Sequence, residues 1–256
     1  MGLWTPEHAR TVPPAVAVMV IAAVILRRLL KNKADKIRML PFRIIAVALV
    51  ILEIGKQGMS LINGYDLYVL PFHFCSLALF MVPVMAFYKG KHTAAVRNIT
   101  AVVCASITLL TLIYPNLIYS GWNVINYFHG YGDFHTVTFH NLVIFAFILI
   151  LALDLHTPQP SGEAKQLIWF TVGFCLVSAS MATILETNYA NYYQCNIPVF
   201  ENIRVGLQPV LGVWNAQLLY ITIVSVLTVL FVLMTWQLYR LLHRLCCGKV
   251  KKSAPV

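Results

Sequence analysis

A chain of 256 residues that is 59% hydrophobic and 11% charged, with a mean hydropathy of +0.76, falls outside the soluble globular class, in which about 25% of residues carry charge. Its formal charge of +10 would suggest nucleic acid in a soluble protein. Here the basic residues fall where membrane orientation puts them, so no nucleic-acid partner is implied. Lipid satisfies no backbone group, and each run of about 20 apolar residues therefore reads as a spanning helix.

Seven such runs lie near residues 14–30, 40–61, 67–88, 98–119, 135–155, 166–187 and 213–242. They predict an all-α, polytopic bundle that occupies 1–256 as a single transmembrane domain. Strand alternation is nowhere sustained, which argues against a β-barrel. Of the 19 lysines and arginines, all but Arg10, Lys56 and Arg204 lie in alternate connections. The positive-inside rule then puts the N-terminus outside and the C-terminus in the cytoplasm of a multi-pass cell-membrane protein. Arg27, Arg28, Lys31 and Lys33 follow the first run instead of preceding it, so that run reads as a span and not as a secretory signal. The six cysteines are scattered, and no disulfide framework is implied.

An ionisable group at membrane depth costs at least about 2.5–3.5 kcal/mol, so the polar residues of each span are the informative ones. In the second span Glu53, Lys56, Gln57 and Ser60 recur at helical spacing, which predicts one outer stripe with a Glu53–Lys56 pair. The third begins Leu70-Pro71-Phe72-His73-Phe74-Cys75-Ser76. Read as a helix with Pro71 in its first turn, it puts His73 and Ser76 on one face and Cys75 on another. In the fourth, Thr108, Thr111, Tyr114 and Pro115 are outer. The fifth opens Phe134-His135-Thr136-Val137-Thr138-Phe139-His140, with Thr136 and His140 one turn apart and His135 pointing elsewhere. The sixth gathers Thr183, Glu186, Thr187 and Asn188 toward its outer end. The inner halves are nearly bare of polar residues. The pattern predicts a chamber open outward and sealed inward, built without the discontinuous helices of a secondary transporter. Two aromatic-rich outer connections, one with Gly121, Trp122, Asn126, Tyr127 and His129 and one running from Asn188 to about Asn215, read as an interfacial belt or as a lid over a lipid headgroup.

The stretches 70–76 and 134–140, with Asn188-Tyr189 as a third match, resemble the YwaF/TMEM164 family of multipass membrane proteins. The resemblance implies functional histidines at His73 and His140, and Asn188 and Tyr189 as part of the same site. Some animal members are described as phospholipid acyltransferases in which a cysteine and a histidine carry the chemistry. The pattern there sets the cysteine directly before the third-span histidine; this chain has Phe72 at that place, which cannot act as a nucleophile.

Three chemical readings follow from these residues. Acyl transfer or lipid hydrolysis needs a nucleophile, a neighbouring base and an oxyanion donor. His140 and then His73 are the candidate bases, Cys75, Ser76 or Thr136 the candidate nucleophiles, and Glu53 or Glu186 the orienting carboxylates. A zinc-dependent hydrolase would draw on His73, His135, His140 and Glu53, although His135 and His140 are five apart and no His-x-x-x-His pair is present. A receptor, transporter or lipid-binding protein would use Lys56 or Arg204 to meet an anionic group. No metal or other cofactor is expected. The expected partner is membrane lipid, as a phospholipid or acyl-chain substrate.

Overall fold

The computed structural model describes residues 5–115, 127, 129–159, 162–195 and 198–247. Among them are nine α-helices and no strand: α1 Pro6–Leu30, α2 Asp35–Arg38, α3 Leu40–Ile62, α4 Leu77–Phe87, α5 Thr93–Ile113, α6 Tyr131–Ala152, α7 Glu163–Ile184, α8 Pro198–Leu211 and α9 Val213–Cys247. Of the aromatic outer connection, Gly121, Trp122 and Asn126 lie outside the described residues. Five helices, α1, α5, α6, α7 and α9, are long and apolar enough to cross a membrane. The 23-residue α3 has spanning length but carries Arg43, Glu53 and Lys56.

The predicted third span is not one helix. Two 3-10 turns, Leu67–Val69 and Phe74–Ser76, precede an α4 of only 11 residues, which rises about 16 Å, half the hydrocarbon thickness of a bilayer. Pro71 is the physical reason: it supplies no amide hydrogen and holds Leu70 out of the α region, and Leu70 has ψ 145°. The expectation of an unbroken helix at 67–88, and with it the expectation that no span is discontinuous, is corrected. Because lipid tolerates non-helical backbone only where protein or a cavity claims its polar groups, this strap needs partners. It has them, as described below.

The helices run up and down. At one end α2, the start of α3, the last turn of α4 and the second turn of α5 meet one another and the turn after α6. Arg43 Nε donates to the Ala86 carbonyl (3.3 Å), Arg97 pairs with Asp35 (2.8 Å) and donates to the Leu155 carbonyl (3.2 Å), and Arg38 donates to the Leu153 carbonyl. The side chains of Arg97 and Arg38 thus satisfy the carbonyls left open where α6 ends. The most buried of the five apolar helices is α5, packed against α4, α6, α7 and α9. Its Ala101, Cys104, Ala105 and Ser106 let neighbouring backbones approach closely. The hydroxyls of Thr100, Thr108 and Thr111 bond back to the carbonyl four residues earlier, which neutralises them inside the bundle. Asn98, in the sole Asn-x-Thr sequence, is fully buried. Large apolar side chains such as Ile21, Ile44, Ile51, Ile54, Leu230 and Met234 point outward, as a surface solvated by lipid requires.

Candidate functional site

At the end opposite the arginine-rich one, the strap 66–76 is held by side chains from two other helices and the segment after α7. Asp66 Oδ1 caps its first turn by accepting from the Tyr68 amide (2.9 Å). Gln57 on α3 donates to the Val69 carbonyl (2.9 Å), Ser178 on α7 donates to the Phe72 carbonyl (2.8 Å), and the Tyr189 hydroxyl donates to the Leu67 carbonyl. His73 Nε2 lies 3.0 Å from the Tyr68 carbonyl. A carbonyl oxygen only accepts, so Nε2 carries the proton and Nδ1 keeps its lone pair. The imidazole sits between the rings of Tyr68 (4.5 Å) and Tyr189 (5.4 Å).

Because the strap is not helical, His73 and Cys75 share a wall, contrary to the helical expectation that they face apart. Both line a cavity of about 430 Å³, within the range of about 300–1,000 Å³ usual for small-molecule sites. Its floor is apolar, with Ile107, Phe174, Leu227 and Phe231, and its rim is polar, with Asn188, Asn191, Cys195, Arg204 and Tyr220. Helix α8 folds back over the start of α9 and brings Arg204 to that rim.

The rim is a closed electrostatic unit. Arg204 grips Glu201 through Nε (3.0 Å) and Nη2 (2.5 Å) and reaches Gln217 Oε1 through Nη1 (3.0 Å). The amide of Cys195 donates to Glu201 Oε2 (2.8 Å), Gln217 donates to the Tyr192 carbonyl (2.8 Å), and the Tyr220 hydroxyl donates to the Asn191 carbonyl. The hydrogen bonds from Arg204 hold the Glu201 carboxyl below the usual carboxylate range. Arg204 is therefore already neutralised, with one N–H on each terminal nitrogen left to turn toward the cavity.

A second polar node stands on α3 beside the strap. Glu53 accepts from Lys56 (2.9 Å) and from Gln57 (2.7 Å), and His135 Nε2 lies 3.7 Å away. The tyrosine hydroxyl of Tyr131 donates to the Leu52 carbonyl (2.7 Å) at a point where α3 carries Gly55. Lys56, like Arg204, is paired with a carboxylate, so neither is the unneutralised cation that an anionic ligand would meet.

The structure thus brings His73, Cys75 and Asn188 to one cavity and Glu53, Lys56 and His135 to the node. It places the remaining candidates elsewhere. His140 is buried, its Nδ1 2.6 Å from the Thr136 carbonyl, and neither His140 nor Thr136 lines the cavity. Ser76 is buried and also off the lining. Glu186 does not continue the stripe of Thr183: α7 ends at Ile184, and Glu186 is exposed in a left-handed turn (φ 48°). Tyr189 is fully buried and acts on the strap. Phe72 packs with Tyr189 at 5.3 Å between ring centroids; it is a packing residue, which explains why an aromatic serves there. Among the described residues His73, His135, His140 and Glu53 do not bring three donor groups within reach of a shared ion.

Sequence reasoning missed Tyr68, Asn191 and Tyr220, and it read Arg204 without its partners. The Glu201–Arg204 spacing of three was a signal for their pairing; nothing local marked Tyr220, which reaches the rim only because α9 begins there. No curated protein and no solved structure matches the chain. A family model, that of the TMEM164 family, matches residues 3–242.

Proposed function

The chain belongs to the TMEM164 family, and from that premise we propose a seven-crossing protein, N-terminus outside, that acts on a membrane lipid by acyl transfer or hydrolysis in the outward cavity. The observation that carries this reading is the shared wall of His73 and Cys75 above an apolar floor. A cavity apolar below and polar at its rim suits an acyl chain with its ester at the level of the polar groups. The net-neutral Arg204–Glu201 rim suits a headgroup without net charge, with the two unused N–H groups of Arg204 available to phosphate or carbonyl oxygen.

In this reading the Cys75 thiol attacks the acyl carbonyl while His73 Nδ1 takes its proton, the Tyr68 carbonyl holding the ring by Nε2–H. The tetrahedral intermediate collapses by breaking the ester C–O bond, and the protonated His73 returns the proton to the departing alkoxide. The acyl thioester is then cleaved by water or by a lysolipid hydroxyl, which His73 deprotonates, and Cys75 leaves as thiol. Seven crossings require α3 and the strap with α4 to count as spans beside the five apolar helices; the strap's satisfied carbonyls support that. The alternation of charged connections supports the orientation.

The test compares lipids by mass spectrometry in cells with and without the protein and with His73→Gln, Cys75→Ser and His140→Ala. The wild type is expected to shift the acyl composition of phospholipids, with the shift lost in the first two variants and largely kept in the third, because His140 is off the cavity. An unchanged profile with the wild type would sink the enzymatic reading. A second reading, binding of a lipid without net charge and without chemistry, is favoured by the apolar floor below a polar, charge-paired rim. It predicts that lipid co-purifies equally with wild type and Cys75→Ser while cellular profiles stay the same.

A further inference from the structure

The end of the bundle remote from the cavity holds a second convergence of chemistry-bearing side chains. The turn after α6 places Asp154 in a left-handed conformation (φ 49°), which aspartate tolerates better than most residues. Its backbone is fixed by Arg38, which donates to the Leu153 carbonyl and to the Asp154 carbonyl (3.4 Å). The last two turns of α9 pass over it. His243 Nε2 lies 2.8 Å from Asp154 Oδ1, and Cys247, one turn on, contacts the Leu151 carbonyl through its thiol at 3.6 Å. One carboxylate oxygen, one imidazole nitrogen and one sulfur all lie within 4.8 Å of one another.

We propose that Asp154, His243 and Cys247 form a three-ligand site for a thiophilic divalent transition metal, zinc foremost, with water in the fourth position. The donor set decides the class of ion. A thiol is a poor ligand for magnesium or calcium, which take oxygen, whereas sulfur with imidazole and carboxylate suits zinc and its neighbours. Spacing agrees: His243 and Cys247 at i and i+4 project from one face of α9, the helical arrangement used by two-ligand metal motifs.

Geometry demands a modest contraction. Bonds of about 2.0–2.3 Å in a tetrahedron separate donor atoms by about 3.3–3.7 Å, so the most distant pair must close by about 1 Å. The side chain of Asp154 is 48% exposed and held by His243, and the thiol of Cys247 would give up a long contact to the Leu151 carbonyl. The ion would insert between His243 Nε2 and the Asp154 carboxylate, replacing their direct contact. Arg27 stands beside the thiol, a cation the metal must outcompete. Bound there, the ion would clip the end of α9 to the α6–α7 turn, joining residues 89 apart in the chain.

Full-length protein without a histidine tag, in detergent or nanodiscs, is titrated with cobalt(II) as the spectroscopic probe and then with zinc. A thiolate-to-cobalt charge-transfer band with tetrahedral d–d absorption is expected, bleached by zinc. Cys247→Ser should abolish the charge-transfer band, Cys246→Ser should retain it, and His243→Gln should weaken apparent affinity by more than about tenfold. Zinc should also slow alkylation of Cys247 in the wild type, a readout that needs no variant to fold. Absence of the band and of protection, or a band that survives Cys247→Ser, overturns the site and leaves the Asp154–His243 contact as a plain structural tie.

Discussion

Close approach at a single position decides how α3 and α6 meet. A Cβ on Gly55 would fall within the van der Waals radius of the Tyr131 hydroxyl, whereas one on Gly58, a turn away, would meet nothing within 4 Å. Gly55→Ala is therefore expected to push Tyr131 aside and break its hydrogen bond to the Leu52 carbonyl, lowering stability by about 1–3 kcal/mol. Gly58→Ala should be neutral or stabilising by about 0.5–1 kcal/mol, since only helix propensity changes. Thermal unfolding of the two detergent-solubilised variants checks the contrast, and equal midpoints would refute it. At this scale the sequence was partly readable. Glu53, Lys56 and Gln57 declared their shared face by spacing, and their bonds follow it. Gly55 declared nothing, because its use depends on a tyrosine 76 positions away in the chain.

Among the elements, the strap 66–76 is the one whose form sequence periodicity could not supply. Apolar residues on both sides of Pro71 fit a buried helix as well as a buried irregular segment, and hydropathy does not separate them. What distinguishes them is the set of side chains aimed at the freed carbonyls, and those lie on α3 and α7 and just after α7. Removing one should loosen the strap without melting the bundle. Ser178→Ala and Tyr189→Phe each leave a strap carbonyl short of a donor, costing about 1–3 kcal/mol. Hydrogen exchange is expected to speed up at the amides of Val69, Phe72 and Ser76, which bond within the strap, while α5 stays protected. Uniform loss of protection would show instead that strap and bundle open together.

For the whole molecule, the family and the all-α membrane class were legible from short motifs and composition, since both rest on features local to each span. The cluster at the arginine-rich end was not, because Asp154, Glu163 and His243 come from three separated segments. It also gives the bundle a pH response. His156 lies buried with Nε2 3.0 Å from Glu163 Oε1, and its backbone carbonyl accepts from Tyr239 (3.0 Å). Burial holds its pKa below the ordinary 6.5, against the opposing pull of Glu163 and with a further push from His243 and Arg97. A histidine depressed in the folded state is more readily protonated in the unfolded one. Stability is thus intact above about pH 6.5 and declines as the pH falls toward the lowered value. Unfolding midpoints of the wild type should drop more steeply between about pH 7.5 and 5.5 than those of His156→Gln; parallel curves would remove His156 as the cause. The brevity of α4 bears, finally, on biogenesis. An 11-residue helix is too short to be inserted as a span on its own. The groups that complete the strap, Ser178 and Tyr189, are 106 and 122 residues downstream of the carbonyls they satisfy. During translation the Phe72 and Leu67 carbonyls lack these side-chain donors until α7 and the segment after it emerge. A nascent chain halted before that point presents quality control with an unfinished surface in lipid.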